Sequence, residues 1–439
     1  MVILGGSLIH LFKYDAVPLQ FDELLMYELI SKNSYGQIIL QLFSKEIQQP
    51  LMYLVTKWLG DQLGYESSII RLPSLLLTLY LPLFFYPLAR RFLEAEDALK
   101  ATGLLALFYP VMLFSSSIRP YLPLLAVTIL CMRAFVDYPK SRGLFWISVI
   151  LLFFINPSGS VLAYVLALII SLRNPHDSKI SLVVLGLLSL FGLWLFMTRW
   201  NDVVYVISGP VTADLVIQHM KRLSFLTSGK EFAFFLLFLI IMGGKRFGKK
   251  FSQQFYRLNL IWISASFLMA VLLYFISNNQ LGARHFLVTL PSLAILTMDL
   301  IKASTPRKSL QHLFYALAVL LLIYQSIFKE KIHQEPWEID SSGLAAKAIE
   351  LSYPTRRIIN CGNCLSFYIK EKRLDCAGGI LEPEWFMGRN QIFVMIEMDY
   401  VQKYCGYHRI EEFYQIEESY PMKGGRVIKI VPRQALNQP

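Results

Sequence analysis

Ten long apolar blocks constrain this chain more than any other feature in it. They fall at 69–89, 101–117, 121–136, 144–155, 161–172, 180–197, 232–242, 258–276, 286–301 and 313–328, and none shows the period of a half-buried helix or strand. A helix needs about 20 apolar residues to cross the hydrocarbon of a bilayer, and about 17 suffice. The shorter blocks make up the length by tilt or by snorkelling of flanking Lys and Arg. A further stretch, 1–12, is too short to cross unaided. It lacks the basic n-region and small-residue cleavage site of a removable signal peptide, so it counts as an abbreviated first span. The expected fold is an α-helical polytopic membrane protein of about eleven transmembrane helices.

Composition agrees with that reading. Of the 439 residues 55% are hydrophobic and only 17% charged, against about 25% charged in an ordinary soluble protein, which excludes a disordered or purely soluble chain. The net charge of +11 invites a nucleic-acid partner, but the cations do not gather on one soluble face. They alternate between loops. Arg90, Arg91 and Lys100; Lys140 and Arg142; Arg173 and Lys179; Lys245, Arg246, Lys249, Lys250 and Arg257; and Lys302, Arg307 and Lys308 occupy every second connection. That is the positive-inside pattern of cytoplasmic loops. The loops at 13–68, 198–231 and 277–285, and the tail after 328, then lie outside, and nucleic acid is set aside as a partner.

From about residue 335 the sequence becomes polar with short apolar runs. Helical spacing over 341–351 and strand-like runs at 357–360, 392–396 and 426–431 predict a small extracytoplasmic α/β domain at 335–439, following a transmembrane domain at 1–330. Cys361, Cys364, Cys376 and Cys405 lie in this tail, whereas Cys131 lies within a span. Two disulfides in any of three pairings, half a zinc site at Cys361 and Cys364, and free thiols all stay open. Each would be structural.

The first outer loop, 13–68, holds the most informative polar residues and reads as a set of interfacial helices. It opens with Phe21-Asp22-Glu23-Leu24, carboxylates costly to desolvate at a membrane surface. Asp22 reads either as a helix N-cap, with Glu23 favoured by the helix dipole, or as a working acid. Further on come Glu46-Ile47-Gln48-Gln49-Pro50-Leu51-Met52-Tyr53, Lys57, and Arg71-Leu72-Pro73-Ser74. Two acids meeting above a cavity suit a general base with a second acid that orients it or binds a metal. Ser117-Ile118-Arg119-Pro120-Tyr121 and Leu281-Gly282-Ala283-Arg284-His285-Phe286 add outer arginines that break the positive-inside trend. A guanidinium suits bidentate phosphate binding, so Arg119 and Arg284 beside an acidic loop favour an anionic ligand. The seven histidines show no metal spacing.

Taken in order, these stretches resemble the C-type superfamily of membrane glycosyltransferases, in the bacterial branch akin to protein O-mannosyltransferases and the aminoarabinose transferase of lipid A. The resemblance runs over nearly the whole chain. It rests on the acidic pair after the first span, acid-x-x-x-Pro-Leu-x-Tyr, Arg-Leu-Pro-Ser, Arg-Pro-Tyr ahead of a span, an arginine- and aromatic-rich approach to a late span containing Pro291, and the small α/β tail. It implies transfer of a sugar from a polyprenyl-phosphate donor to a lipid, glycan or protein acceptor at the outer face of a bacterial plasma membrane. Asp22 takes the position of the proposed catalytic carboxylate and base, and Glu23 and Glu46 its companion acids. Arg71, Arg119, Arg284, His285 and Lys57 are the implied substrate contacts.

The sequence also departs from the family. Gln48 stands where relatives have His or Lys, Gln49 replaces the first Pro, and Ser117 falls where many relatives carry Glu. No cofactor is identified from these residues, and a divalent cation, Mg or Mn, stays open. The rival readings are a lipid flippase or transporter, a polysaccharide polymerase or ligase, and a non-catalytic member of the fold. A transporter predicts inverted repeats and ionisable residues at mid-membrane. A polymerase or ligase would carry its large outer loop late, whereas here it comes first.

Overall fold

The computed structural model describes residues 21–44, 50–138, 140–173, 230–250, 287–329 and 341–352, five strands between 357 and 432, and short pieces at 179, 182–186, 189–190 and 259. Their contacts divide the chain into two compact units, Met1–Tyr14 with Asn33–Lys331, and Asp15–Lys32 with Ile332–Pro439.

The first unit is helical. In chain order it holds α2 (Tyr35–Ser44), α3 (Pro50–Leu63), α4 (Ser67–Ala89), α5 (Ala95–Leu107), α6 (Tyr109–Phe114), α7 (Tyr121–Val136), α8 (Arg142–Ile155), α9 (Pro157–Arg173), α10 (Lys230–Lys250), α11 (Leu290–Ser304) and α12 (Lys308–Ile323). Among the described residues three helical stretches are long and apolar enough to cross a membrane, Ser67–Ala89, Leu287–Ser304 and Lys308–Ile327. Shorter apolar helices run over Tyr121–Val136, Arg142–Ile155, Leu162–Leu172 and Glu231–Gly243. This is a membrane chain. α11 is almost wholly enclosed, with Leu290, Ala294, Ile295 and Ile301 buried. α10 and α12 instead turn large apolar side chains outward, Ile241 at 74% and Leu320 at 63% exposure, which suits lipid rather than water.

Two of the expected spans differ in form. The block at 101–117 is not one helix. α5 ends at Leu107, Phe108 takes φ −58° and ψ 132°, and α6 restarts with Pro110 in its first turn. The cause is Pro110, which has no N–H to donate to the preceding turn and whose ring would crowd the carbonyl four residues back in an unbroken helix. The block at 313–328 begins as α12 and ends in a π-helical turn, Tyr324–Lys329, that buries Gln325 and Ser326. The stretch at 1–12, the block at 258–276 apart from Asn259, and most of 180–197 lie outside the described residues.

Charge ties the helix ends together. Lys302, just past the apolar run of α11, reaches Asp97 Oδ2 at 2.7 Å and Glu94 Oε1 at 3.4 Å at the start of α5. Arg91, beyond α4, meets Asp137, beyond α7, at 3.0 Å.

The second unit contains α1 (Phe21–Lys32), α13 (Ser341–Ser352) and a five-stranded sheet. The strands are β1 (Arg357–Cys361), β2 (Leu374–Ala377), β3 (Gln391–Ile396), β4 (Tyr414–Met422) and β5 (Gly425–Pro432), in the order β2-β1-β3-β5-β4. β1 pairs in parallel with both β2 and β3, while β5 runs antiparallel to β3 and β4. α13 packs on β1, β3 and β5. The three expected strands are present within a residue or so. β2 and β4 were not foreseen: β2 is only four residues long, and β4, with Glu417, Glu418 and Pro421, reads as polar because it forms an edge. Cys376 pairs in register with Asn360, and Cys361 with Ala377. Cys364 and Cys405 lie outside the described residues.

Candidate functional site

The segment 13–68 builds its polar cluster from α3. Pro50 opens this helix, where its missing N–H costs nothing. Its buried residues are Pro50, Met52, Tyr53, Thr56, Lys57 and Gly60, largely one face at helical spacing. A lysine on such a face needs a partner, and the sequence supplies it one turn later. Lys57 Nζ lies 3.1 Å from Asp61 Oδ1 and donates to Tyr65 Oη at 3.2 Å.

Two glycines make that geometry reachable. Gly64 adopts φ +105°, a left-handed conformation that ends α3 and reverses the chain. Gly60 leaves room for the Tyr65 ring, since a Cβ there would stand 2.4 Å from Tyr65 Cε1. Tyr65 Oη therefore donates to Asp61 Oδ1 at 2.5 Å. Tyr35, the first residue of α2, donates to Asp61 Oδ2 at 2.9 Å, and Lys57 Nζ sits over its ring at 5.3 Å. One carboxylate thus joins α2, α3 and the turn before α4.

The protonation states follow. The Tyr65 hydrogen bond, helped by Lys57 and Tyr35, holds the Asp61 carboxyl below its ordinary value despite some desolvation. Burial pulls the Lys57 ammonium down, but its bonds to Tyr65 and Asp61 outweigh this and hold it above the usual lysine value. Desolvation and the Asp61 carboxylate raise both Tyr35 and Tyr65.

One turn before Lys57, Tyr53 faces a different partner. Arg119 Nη1 donates to Tyr53 Oη at 3.2 Å, with Tyr53 1% and Arg119 7% exposed. Arg119 lies in the short turn between α6 and α7, where its backbone N–H is held by Ser117 Oγ at 3.2 Å and its carbonyl accepts from Tyr121 N at 2.9 Å. Ser117 has thus become part of the turn. Arg71, in the second turn of α4, is 1% exposed. α4 packs against both α3 and α7. The buried hydroxyls of Thr56 and Ser74, each one turn from Tyr53 and Arg71, find no hydrogen-bond partner among the described residues. Such hydroxyls are costly to bury and are suited to a ligand oxygen.

Of the residues expected from sequence, Lys57, Arg71 and Arg119 are therefore all buried in the first unit. Asp22 and Glu23 fall at the second and third positions of α1, in the second unit, with Glu23 3% exposed. Glu46, Arg284 and His285 lie outside the described residues. Tyr53 entered the sequence reading only as the end of a motif, and its hydroxyl is what engages Arg119. Its position four residues before Lys57, on one helical face, was the available signal. Among the described residues no three of His, Cys, Asp and Glu gather as metal ligands.

The fold has a known counterpart. The chain superposes on the crystal structure of ArnT from Cupriavidus metallidurans bound to undecaprenyl phosphate with a TM-score of 0.50 and 14% identity, covering 98% of this chain and 97% of that one. The Archaeoglobus fulgidus oligosaccharyltransferase tethered to an acceptor peptide matches with a TM-score of 0.49 and 13% identity, over 99% of this chain and 74% of that one. No family model matches the sequence, and no curated protein matches it. At this identity the likeness to ArnT is one of fold, and it is the fold that the order of the sequence motifs implied.

Proposed function

We propose that this chain is a membrane glycosyltransferase that moves a sugar from a polyprenyl-phosphate donor to a lipid, glycan or protein acceptor on the extracytoplasmic face. The observation that carries the reading is a pair of buried arginines, Arg71 on α4 and Arg119 in the turn before α7, with Arg119 donating to Tyr53 of α3 and α4 packed on both α3 and α7. Their chain shares its fold with a protein solved with undecaprenyl phosphate.

The chemistry assigns the remaining roles. An acceptor oxygen attacks the anomeric carbon and forms the new C–O bond as the bond to the donor phosphate breaks. The phosphate leaves with the electron pair, and the acceptor's proton passes to a carboxylate. Asp22 is that base, with Glu23 and Glu46 as orienting acids, and Arg119, Arg71, Arg284 and His285 take the phosphate and sugar. Lys57 is balanced by Asp61, so its part is to hold α3 in place. A Mg or Mn ion, if bound, would be held by Asp22 and Glu46 and would supply positive charge beside the leaving phosphate.

Topology supports the same reading. α1 and the C-terminal sheet share one compact unit, which accords with an even number of crossings between Lys32 and Ile332. The ten apolar blocks between them meet that condition, and with the stretch at 1–12 they make eleven spans. On this proposal 1–330 is the transmembrane domain and 335–439 the extracytoplasmic one, with α1 of the catalytic loop 13–68 belonging to the same compact unit as the C-terminal sheet.

The test is sugar transfer by the purified chain from a panel of polyprenyl-phosphate sugars. Asp22→Asn is expected to lower kcat by about 10² to 10⁴, the usual worth of a positioned base, with the thermal midpoint unchanged. Undiminished transfer by that variant would remove Asp22 from the role.

A further inference from the structure

We infer that Tyr53 is a positioning residue, whose hydroxyl aims the Arg119 guanidinium at the phosphate of the lipid donor. The inference rests on the glycosyltransferase reading, which gives Arg119 its ligand.

A guanidinium is a planar fork, and its value for phosphate lies in its orientation as much as in its charge. Arg119 sits in a short turn rather than a helix, so its backbone alone does not fix the side chain. Its main-chain position is set by Ser117 Oγ, but the far end of the side chain is fixed from another element, α3, 66 residues away in sequence, through Tyr53 Oη. Tyr53 is itself enclosed. It is buried at 1% exposure, and its helix is tied one and two turns further on by the Lys57, Asp61, Tyr65 and Tyr35 cluster. The geometry forms a relay of rigid contacts from the outer loop to the guanidinium. A phenol suits this task, because it accepts from the cation without neutralising its charge as a carboxylate would.

The full-length chain in detergent is titrated with undecaprenyl phosphate and, separately, with undecaprenol, the neutral alcohol. Tyr53→Phe, which deletes one oxygen, is expected to weaken the phosphate about tenfold, as loss of a hydrogen bond to a charged group does, and to leave undecaprenol unchanged. On an Arg119→Ala background the same substitution is expected to add less than about twofold, because the hydroxyl acts through the arginine. Equal losses on both backgrounds, or for both lipids, would reduce Tyr53 to packing and overturn the inference, as would no loss at all. If the unsubstituted chain does not prefer phosphate to alcohol, the proposed function itself fails. Should Tyr53→Phe not fold, Arg119→Lys keeps the charge without the fork. It is expected to lose about tenfold for phosphate alone, and unchanged affinity would overturn the inference.

Discussion

Asp61 is the residue on which the segment 35–65 turns, since three side chains from three segments converge on its two oxygens. Its carboxyl is held below 3.8, so its contribution is present above that value and disappears as pH falls through the lower folded one. Lys57 is held above 10.5, so its contribution is complete below that value and disappears as pH rises through the raised folded one. Between those limits the cluster keeps its charges. The difference in thermal midpoint between the unsubstituted chain and Asp61→Asn should therefore stay constant from about pH 5 to about 9 and shrink below about pH 4. Gly60→Ala should act like Asp61→Asn by driving the Tyr65 ring away, as the 2.4 Å approach requires; a midpoint equal to that of the unsubstituted chain would show that the ring moves without cost. Lys57 and Arg119 were visible in the sequence as cations in unusual places. What each cation touches was not, because Asp61 and Tyr65 look like ordinary loop residues until Gly64 folds the chain back. Asp22 and Glu23 were legible as an acidic pair, yet nothing local shows that α1 belongs with the C-terminal sheet.

Helices show the same division between what composition reveals and what needs three dimensions. The apolar blocks at 69–89, 121–136 and 144–155 emerge as α4, α7 and α8 within a few residues, because in a membrane chain apolar length largely decides where helices run. The break at Phe108 was also readable in principle, from Pro110, but the apolar run continues through it and masks it. The partners of Lys302 were not readable: a cation that looks like a topology signal also pairs with Asp97 and Glu94 on α5. Close packing between α8 and α9 gives a sharper expectation. A Cβ at Gly159 would lie 2.4 Å from the carbonyl oxygen of Leu152 and 3.0 Å from Leu124 Cδ1. A backbone carbonyl yields far less readily than a side chain, so Gly159→Ala should destabilise the chain by about 1 to 3 kcal/mol. Thermal unfolding in detergent reads this directly, and an unchanged midpoint would mean that α8 and α9 shift apart freely.

At the scale of the molecule, the grouping of α1 with the sheet is the fact that sequence could not reach, because it joins segments some 300 residues apart. It predicts that deleting 332–439 leaves α1 without its unit. Leu24, Met26 and Ile30, buried in the full chain, should then exchange amide hydrogens at near-unprotected rates while α7 and α8 keep their protection. Equal protection of α1 in both forms would show that it stands without the sheet.

That grouping also sets a schedule. Ribosomes add roughly 5 to 20 residues per second, so once Lys32 is made, about 20 to 80 seconds pass before the last strand of its unit, Gly425–Pro432, exists. For that interval α1, the segment bearing the proposed base, waits without the strands of its own unit.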